Sequence, residues 1–194
     1  MKESVHESLV LSASPHAGGV TETAAAMLAK GMGSRSFSLL HLRDYRVHPC
    51  QGCGFCERSP HTCLLDRDGD DGEFLLQRIY AAHSVILCAP IYFYALPADC
   101  KALIDRAQRF WQSQALQEDR ARRPSFVLLI AGRKKGDALF SGALHTLRYF
   151  LQAMGRELVA TKTLRGLEKR TDLVNQPDLC HELEELGQKW LSAL

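Results

Sequence analysis

SVILCAPIY, Ser84 to Tyr92, is an almost unbroken apolar run that stops at Pro90 and the first of three consecutive aromatics. SFVLLIAG, Ser125 to Gly132, repeats the pattern. A strand with one wet face alternates apolar and polar residues. A strand apolar on both faces needs helices on both sides, which is the situation of a parallel sheet. The flanks supply those helices. EFLLQRIYAA (73–82) and PADCKALIDRAQRFWQ (97–112) carry helical spacing, the second with Pro97 near its start, where a missing N–H does no harm. Outward from there, SLVLSAS (8–14), SFSLLHL (36–42) and ELVATKTL (157–164) read as strands. TETAAAMLAKGM (21–32), ALFSGALHTLRYFLQAMG (138–155) and DLCHELEELGQKWLSAL (178–194) read as helices. Five strands alternating with five helices predict one doubly wound α/β domain over residues 1–194, with a cysteine-rich insertion at about 46–71.

Composition agrees. Of 194 residues 46% are apolar, enough for a sizeable core, and the net charge of +2 is spread with both signs mixed. That balance argues against nucleic acid or an anionic membrane as the main partner. No apolar run reaches the length of a membrane span, and the start MKESVHESLVLSAS lacks a secretion signal's apolar segment. A cytoplasmic protein is expected. In that compartment clustered thiols point to metal or redox chemistry rather than to structural disulfides.

Ligands of such sheets bind at the carboxyl ends of the strands. The loops at 12–21, 90–97 and 131–137 are therefore the places to look. SASPHAGGVT (12–21) runs into a helix and carries two glycines and several hydroxyls. Amides at a helix N-terminus can cradle a phosphate, and glycine lets the backbone come close to it. The loop is neither G-x-x-x-x-G-K-[ST] nor G-x-G-x-x-G, so triphosphatase and dinucleotide Rossmann readings fail. An ordinary strand-to-helix turn would look much the same. In the second loop Tyr92, Phe93 and Tyr94, bracketed by Pro90 and Pro97, offer an aromatic wall suited to a planar ligand. A single ring at that place would more simply close the core.

Taken together, Ser14-Pro15-His16-Ala17-Gly18-Gly19-Val20-Thr21 resembles the SPR-x-x-GNT phosphate loop of the flavodoxin-like NAD(P)H-dependent FMN reductases. Pro90-Ile91-Tyr92-Phe93-Tyr94 with Lys101 and Asp105-Arg106 resembles their P-x-Y…K-x-x-x-DR segment, and the cysteine loop resembles the iron–sulfur flavoprotein branch. The resemblance implies a five-stranded sheet in the order 2-1-3-4-5. It implies FMN as cofactor and NAD(P)H as co-substrate. Ser14, His16, Gly19, Val20 and Thr21 would hold the phosphate. Pro90, Ile91, Tyr92, Phe93 and Tyr94 would support the ring, and Ala131, Gly132 and Arg133 would border it. No side chain need act as acid or base, because the flavin carries the chemistry. Relatives implied by the resemblance are homodimers or homotetramers. Two departures stand out. His16 replaces an arginine and so lacks its permanent charge and fork, and Val20 replaces an asparagine donor. Phosphate affinity is expected to be weaker than the family norm, or dependent on pH.

Cys50, Cys53, Cys56 and Cys63 follow C-x2-C-x2-C-x6-C, a spacing similar to that which wraps one [4Fe–4S] cluster. A flavin beside a cluster turns the electron pair of a hydride into single electrons. Thiols without a cluster, and a structural zinc, are the alternatives. Arg43, Arg46 and Arg58 lie near in sequence and would offset an anionic cluster. DRDGDDGE (66–73) departs from a calcium loop, and Asp70 or Asp71 is expected to cap the following helix. Cys88 and Cys100 are expected to be buried and inert, Cys180 to start the last helix, and the histidines outside the first loop to be surface or packing residues. The leading expectation is an FMN oxidoreductase passing electrons from NAD(P)H to a quinone, a flavin or a one-electron acceptor. A non-enzymatic electron carrier reduced by a ferredoxin-like partner is the alternative. A thiol-based redox regulator is a third.

Overall fold

The computed structural model describes residues 7–33, 37–59, 62–67, 69–112 and 123–192. Ser36, His6, His61, Asp68 and the charged stretch 114–122 lie outside them. Five parallel strands form one sheet in the order β2-β1-β3-β4-β5. They are β1 (Ser8–Ser12), β2 (Phe37–His41), β3 (Val85–Pro90), β4 (Arg123–Ala131) and β5 (Arg156–Arg165). The helices are α1 (Val20–Gly31), α2 (Phe55–Arg58), α3 (Gly72–Ala81), α4 (Ala98–Arg106), α5 (Gln108–Gln112), α6 (Ser141–Ala153), α7 (Arg170–Val174) and α8 (Pro177–Ser192), with 3-10 turns at Leu42–Asp44 and Leu64–Arg67. The expected architecture and strand order are present. The helix anticipated over 97–112 is broken at Ala107, and α2 and α7 are too short to leave a periodic signal.

Every residue of β3 is buried, as its composition requires. Successive side chains divide between two cores. Leu9, Leu11, Leu87 and Leu129 face α3, α4 and α6, packing with Leu75, Leu103 and Leu147. Val10, Ile86, Leu128 and Ile130 face α1 and α8, packing with Ala24, Leu28 and Leu183. Helices α1 and α8 approach closely at two glycines. A β-carbon on Gly187 would land on the Leu28 carbonyl, and one on Gly31 on the Glu184 carbonyl.

At the amino edge of the sheet Arg156 is 1% exposed. Its guanidinium donates to the Ser125 hydroxyl (2.9 Å) and to the carbonyls of Ile79 (2.8 Å) and Ala82 (3.1 Å). Arg123 joins it at the Ala81 and Ala82 carbonyls. Together they satisfy the acceptors left open at the end of α3, where the helix dipole favours a cation. Burial, and then the neighbouring Arg123, lower the pKa of Arg156 to about 10.

Candidate functional site

At the carboxyl edge, the loop after β1 folds on itself. The Ser14 hydroxyl donates to the His16 carbonyl (3.1 Å) and accepts from the His16 amide (3.3 Å). Gly19 is the N-cap of α1 and brings no capping side chain, so the first-turn amides of α1 are left without that partner. Ser14, His16, Gly19, Val20 and Thr21 line one side of a cavity of about 110 Å³. Pro90, Ile91, Tyr92 and Gly132 line the other. The expected first, second and third loops thus converge. Leu167 and Glu168 also reach this cavity, from the segment after β5. They lie outside the loops after strands one, three and four, to which the sequence motifs point. The same carboxyl-edge rule points to the loop after β5. Gly132 is fitted against Glu168, since a β-carbon there would sit 3.2 Å from the Glu168 Cβ.

A carboxylate sits beneath the phosphate-type loop. Glu22 Oε2 accepts from the Gly18 amide at 2.6 Å, while Arg43 contacts the same carboxylate at 3.0 Å and His41 lies 3.6 Å away. Burial alone would raise the Glu22 pKa. The Gly18 N–H and the Arg43 charge outweigh it and hold the carboxyl below its ordinary range.

The second loop is a tight turn rather than a flat wall. Tyr92 and Ala95 exchange both backbone hydrogen bonds, at 3.0 and 2.9 Å. Phe93 and Tyr94 between them have φ of 49° and 64°. Two positive φ values in a two-residue turn ordinarily call for Asn-Gly. Here two aromatics occupy it, and strain of this kind collects at ligand sites. Phe93 is 102% exposed. Tyr94 is tied to the third loop, with Arg133 5.7 Å from its ring and its hydroxyl over Gly136, where a β-carbon would collide. Ile91, Tyr92, Phe93, Tyr94, Ala131 and Arg133 line a second cavity of about 310 Å³. The two cavities share Ile91 and Tyr92.

The four cysteines of the insertion gather around a third cavity, of about 250 Å³. Left-handed glycines at Gly52 and Gly54 turn the chain between them, and Gly54 caps the single turn of α2 that carries Cys56. All four are free thiols. Partial burial, followed by the proximity of Cys50, Cys63 and Cys53, raises the Cys56 pKa. Among the described residues no three of His, Cys, Asp or Glu meet closely enough to hold a single metal ion. The basic residues on the cavity wall are Arg106 and Arg109, not the expected Arg43, Arg46 and Arg58. Arg43 serves Glu22, Arg46 offers its amide to Asp71 (2.8 Å), and Arg58 is exposed. Nearness in sequence is not nearness in space here, because α4 and α5 arrive from far along the chain. The expected capping role divides as well. Asp71 holds the N-cap position of α3 without a side-chain cap bond, and Asp70 bonds the Gly72 amide (2.7 Å) while pairing with Arg106 (2.7 Å). His48, expected to be a surface or packing residue, lies 3.1 Å from Asp70 beside this cluster. Cys88 and Cys100 are buried as expected, with burial raising both pKa values, Cys100 to about 12. The Cys180 thiol donates to the Leu173 carbonyl (3.4 Å).

Parallel strands in this order, with a ligand cleft at the carboxyl edge, define a flavodoxin-like α/β protein. The chain belongs to the NADPH-dependent FMN reductase family, whose model it matches over residues 7–162. It is 34% identical over 100 residues to an iron–sulfur flavoprotein of Methanosarcina thermophila, an alignment covering 50% of each chain. The chain spans half or less of the length of the curated relatives it matches. Among solved structures, an NAD(P)H:quinone oxidoreductase of Methanothermobacter marburgensis superposes with a TM-score of 0.68 at 18% identity, covering 95% of this chain and 96% of that one. An FMN-dependent NADH-azoreductase of Bacillus anthracis, solved with FMN, gives 0.68 at 14% identity over 95% and 99%. At such identities these two likenesses establish the fold alone.

Proposed function

We propose that this chain is an FMN-dependent oxidoreductase that takes electrons from NAD(P)H and passes them to a quinone, a flavin or a one-electron acceptor. The observation that carries it is the meeting of an uncapped helix N-terminus with a strained aromatic turn across adjoining cavities. An anionic tail and a flat ring need those two surfaces side by side. Family membership supports the same reading. The residues present fit FMN. Ser14, His16, Gly19, Val20 and Thr21 bind the phosphate through α1 amides and the Ser14 hydroxyl. Pro90, Ile91, Tyr92, Phe93 and Tyr94 support one side of the ring, and Ala131, Gly132 and Arg133 border the other. Bound FMN supplies hydride acceptance and single-electron release. The chain's own groups bind, orient and screen, and Arg133 adds positive charge at the ring's rim.

The four thiols fit a [4Fe–4S] cluster in their donor chemistry and in sharing one cavity walled by two arginines. The names of the curated relatives support this assignment. No helix among the described residues is long and apolar enough to cross a membrane. A cytoplasmic homodimer or homotetramer completes the proposal.

An absorption spectrum of anaerobically purified protein, paired with NADPH oxidation using a soluble quinone, tests it. Flavin bands with steady turnover are expected, and a broad violet shoulder reports the cluster. Protein that neither carries nor quenches FMN would overturn the assignment. Flavin binding with negligible NAD(P)H turnover would favour the electron carrier instead.

A further inference from the structure

The thiol cavity has a keystone. Arg106, the last residue of α4, is 3% exposed and lies on the cavity wall. Its two terminal nitrogens reach to both sides of the cysteine loop. One pairs with Asp66 at 2.6 Å, three residues after Cys63. The other pairs with Asp70 at 2.7 Å and donates to the His48 carbonyl at 3.3 Å, two residues before Cys50. Each carboxylate passes the hold on to the loop backbone. Asp66 Oδ2 accepts the Cys63 amide at 3.1 Å, and Asp70 Oδ2 accepts the His48 amide at 2.6 Å. The Asp70 side chain is fully buried. Gly72 leaves the space this pairing needs, because a β-carbon there would stand 2.7 Å from Asp70 Oδ1 and 3.0 Å from the Arg106 guanidinium.

The third guanidinium nitrogen is different. Arg106 Nε is buried and has no hydrogen-bond partner among the described residues. Buried donors in proteins are almost always paired, so an orphan on a residue that lines a cavity marks a missing acceptor. Four thiols line that wall beside Gln51, Glu57, Gln108 and Arg109, and thiolate or sulfide sulfur is an acceptor.

We propose that Arg106 is the positioning residue of the cysteine loop: its two terminal nitrogens fix the entry and exit of the loop through Asp70 and Asp66, and its Nε–H donates to anionic sulfur in the cavity. The first half concerns the protein alone. The second rests on the iron–sulfur reading above. Only arginine serves both halves, because a single ammonium cannot span two carboxylates and has no Nε–H. Hydrogen bonds to sulfur are among the levers that set a cluster's potential.

Two measurements decide it. In metal-free protein, Arg106→Gln is expected to speed amide hydrogen exchange at His48 and Cys63 at least tenfold, with β1 and β3 amides unchanged. Should that variant fail to fold, Asp66→Ala, at a partly exposed site, is expected to speed Cys63 and spare His48. Exchange at wild-type rates in either variant overturns the positioning role. In protein reconstituted with iron and sulfide, Arg106→Lys keeps the charge but is expected to displace the one-electron equilibrium about tenfold toward the oxidised form, about 59 mV for a one-electron couple. An unchanged potential overturns the Nε–H donation. Wild-type protein that takes up no iron or sulfide would sink the cluster reading and the donation with it, while the exchange result would still decide what Arg106 does to the loop.

Discussion

Phe93 spends conformational energy for no internal return. Its ring is wholly in solvent while its backbone sits at φ 49°. A left-handed residue with a side chain costs about 1–2 kcal/mol. Phe93→Gly is therefore expected to raise stability by about 1 kcal/mol, read as a higher urea midpoint at unchanged slope. The same change is expected to weaken FMN binding about threefold to tenfold in a fluorescence-quenching titration, from the loss of about 0.5–1.5 kcal/mol of ring contact. A variant both less stable and unaltered in flavin affinity would show the turn to be structural. His16 poses the opposite case, since it is exposed on the α1 side of the smaller cavity and the loop from Ser12 to Thr21 carries no lysine or arginine. His16→Arg is expected to tighten FMN about tenfold by restoring a charge-assisted fork, worth about 1.5 kcal/mol. Unchanged affinity would place the phosphate elsewhere.

At the scale of elements, the contact between α1 and α8 is the most sharply constrained. A methyl group on Gly187 has only the Leu28 carbonyl to meet, and backbone cannot step aside as a side chain can. Gly187→Ala is expected to cost about 1–3 kcal/mol of stability, measured by urea unfolding, with the far-ultraviolet spectrum preserved. A smaller loss would mean the two helices slide apart freely. The elements themselves were largely legible in the sequence. Continuous apolar runs such as 85–90 declare a strand buried on both faces, and the Ala-rich spacing of α1 declares its helix. What the sequence concealed was long-range. The two arginines of the thiol cavity come from α4 and α5, some forty to sixty positions beyond the cysteines, and no local pattern connects them. Nor could spacing foresee that Tyr92 and Ala95 would pair and turn Phe93 outward, since an aromatic pair is a poor turn signal. The carboxyl-edge cleft was recoverable in outline because its three loops each follow a strand, whereas Glu168 follows β5, whose loop carries no motif.

For the whole molecule, acid sensitivity follows from two carboxylates in different layers. Asp70 resembles Glu22 in its balance. Burial would raise it, but the His48 and Gly72 amides and the Arg106 guanidinium hold it below its ordinary value of 3.8. Carboxyls depressed in the folded state contribute stability that is fully present above their unfolded values, 3.8 for Asp70 and 4.5 for Glu22. That contribution is lost as pH falls through the lower folded values. Unfolding free energy is thus expected to hold steady from pH 7 to about 5 and to drop below about 4.5. Asp70→Asn is expected to flatten the drop, as seen in urea titrations at each pH, and an equally steep drop in that variant would exclude Asp70 as a source. The last helix offers a way to watch these transitions. The Trp190 indole donates to the Ser84 hydroxyl at 3.0 Å and lies 5.9 Å from the Phe126 ring, whereas Trp111 is 45% exposed. The chain has just these two tryptophans. Intrinsic emission therefore contains a blue component that reports whether α8 is seated on the sheet and a red one from a surface helix. Undocking of the carboxyl-terminal helix becomes an optical event, separable from collapse of the opposite core by wavelength alone.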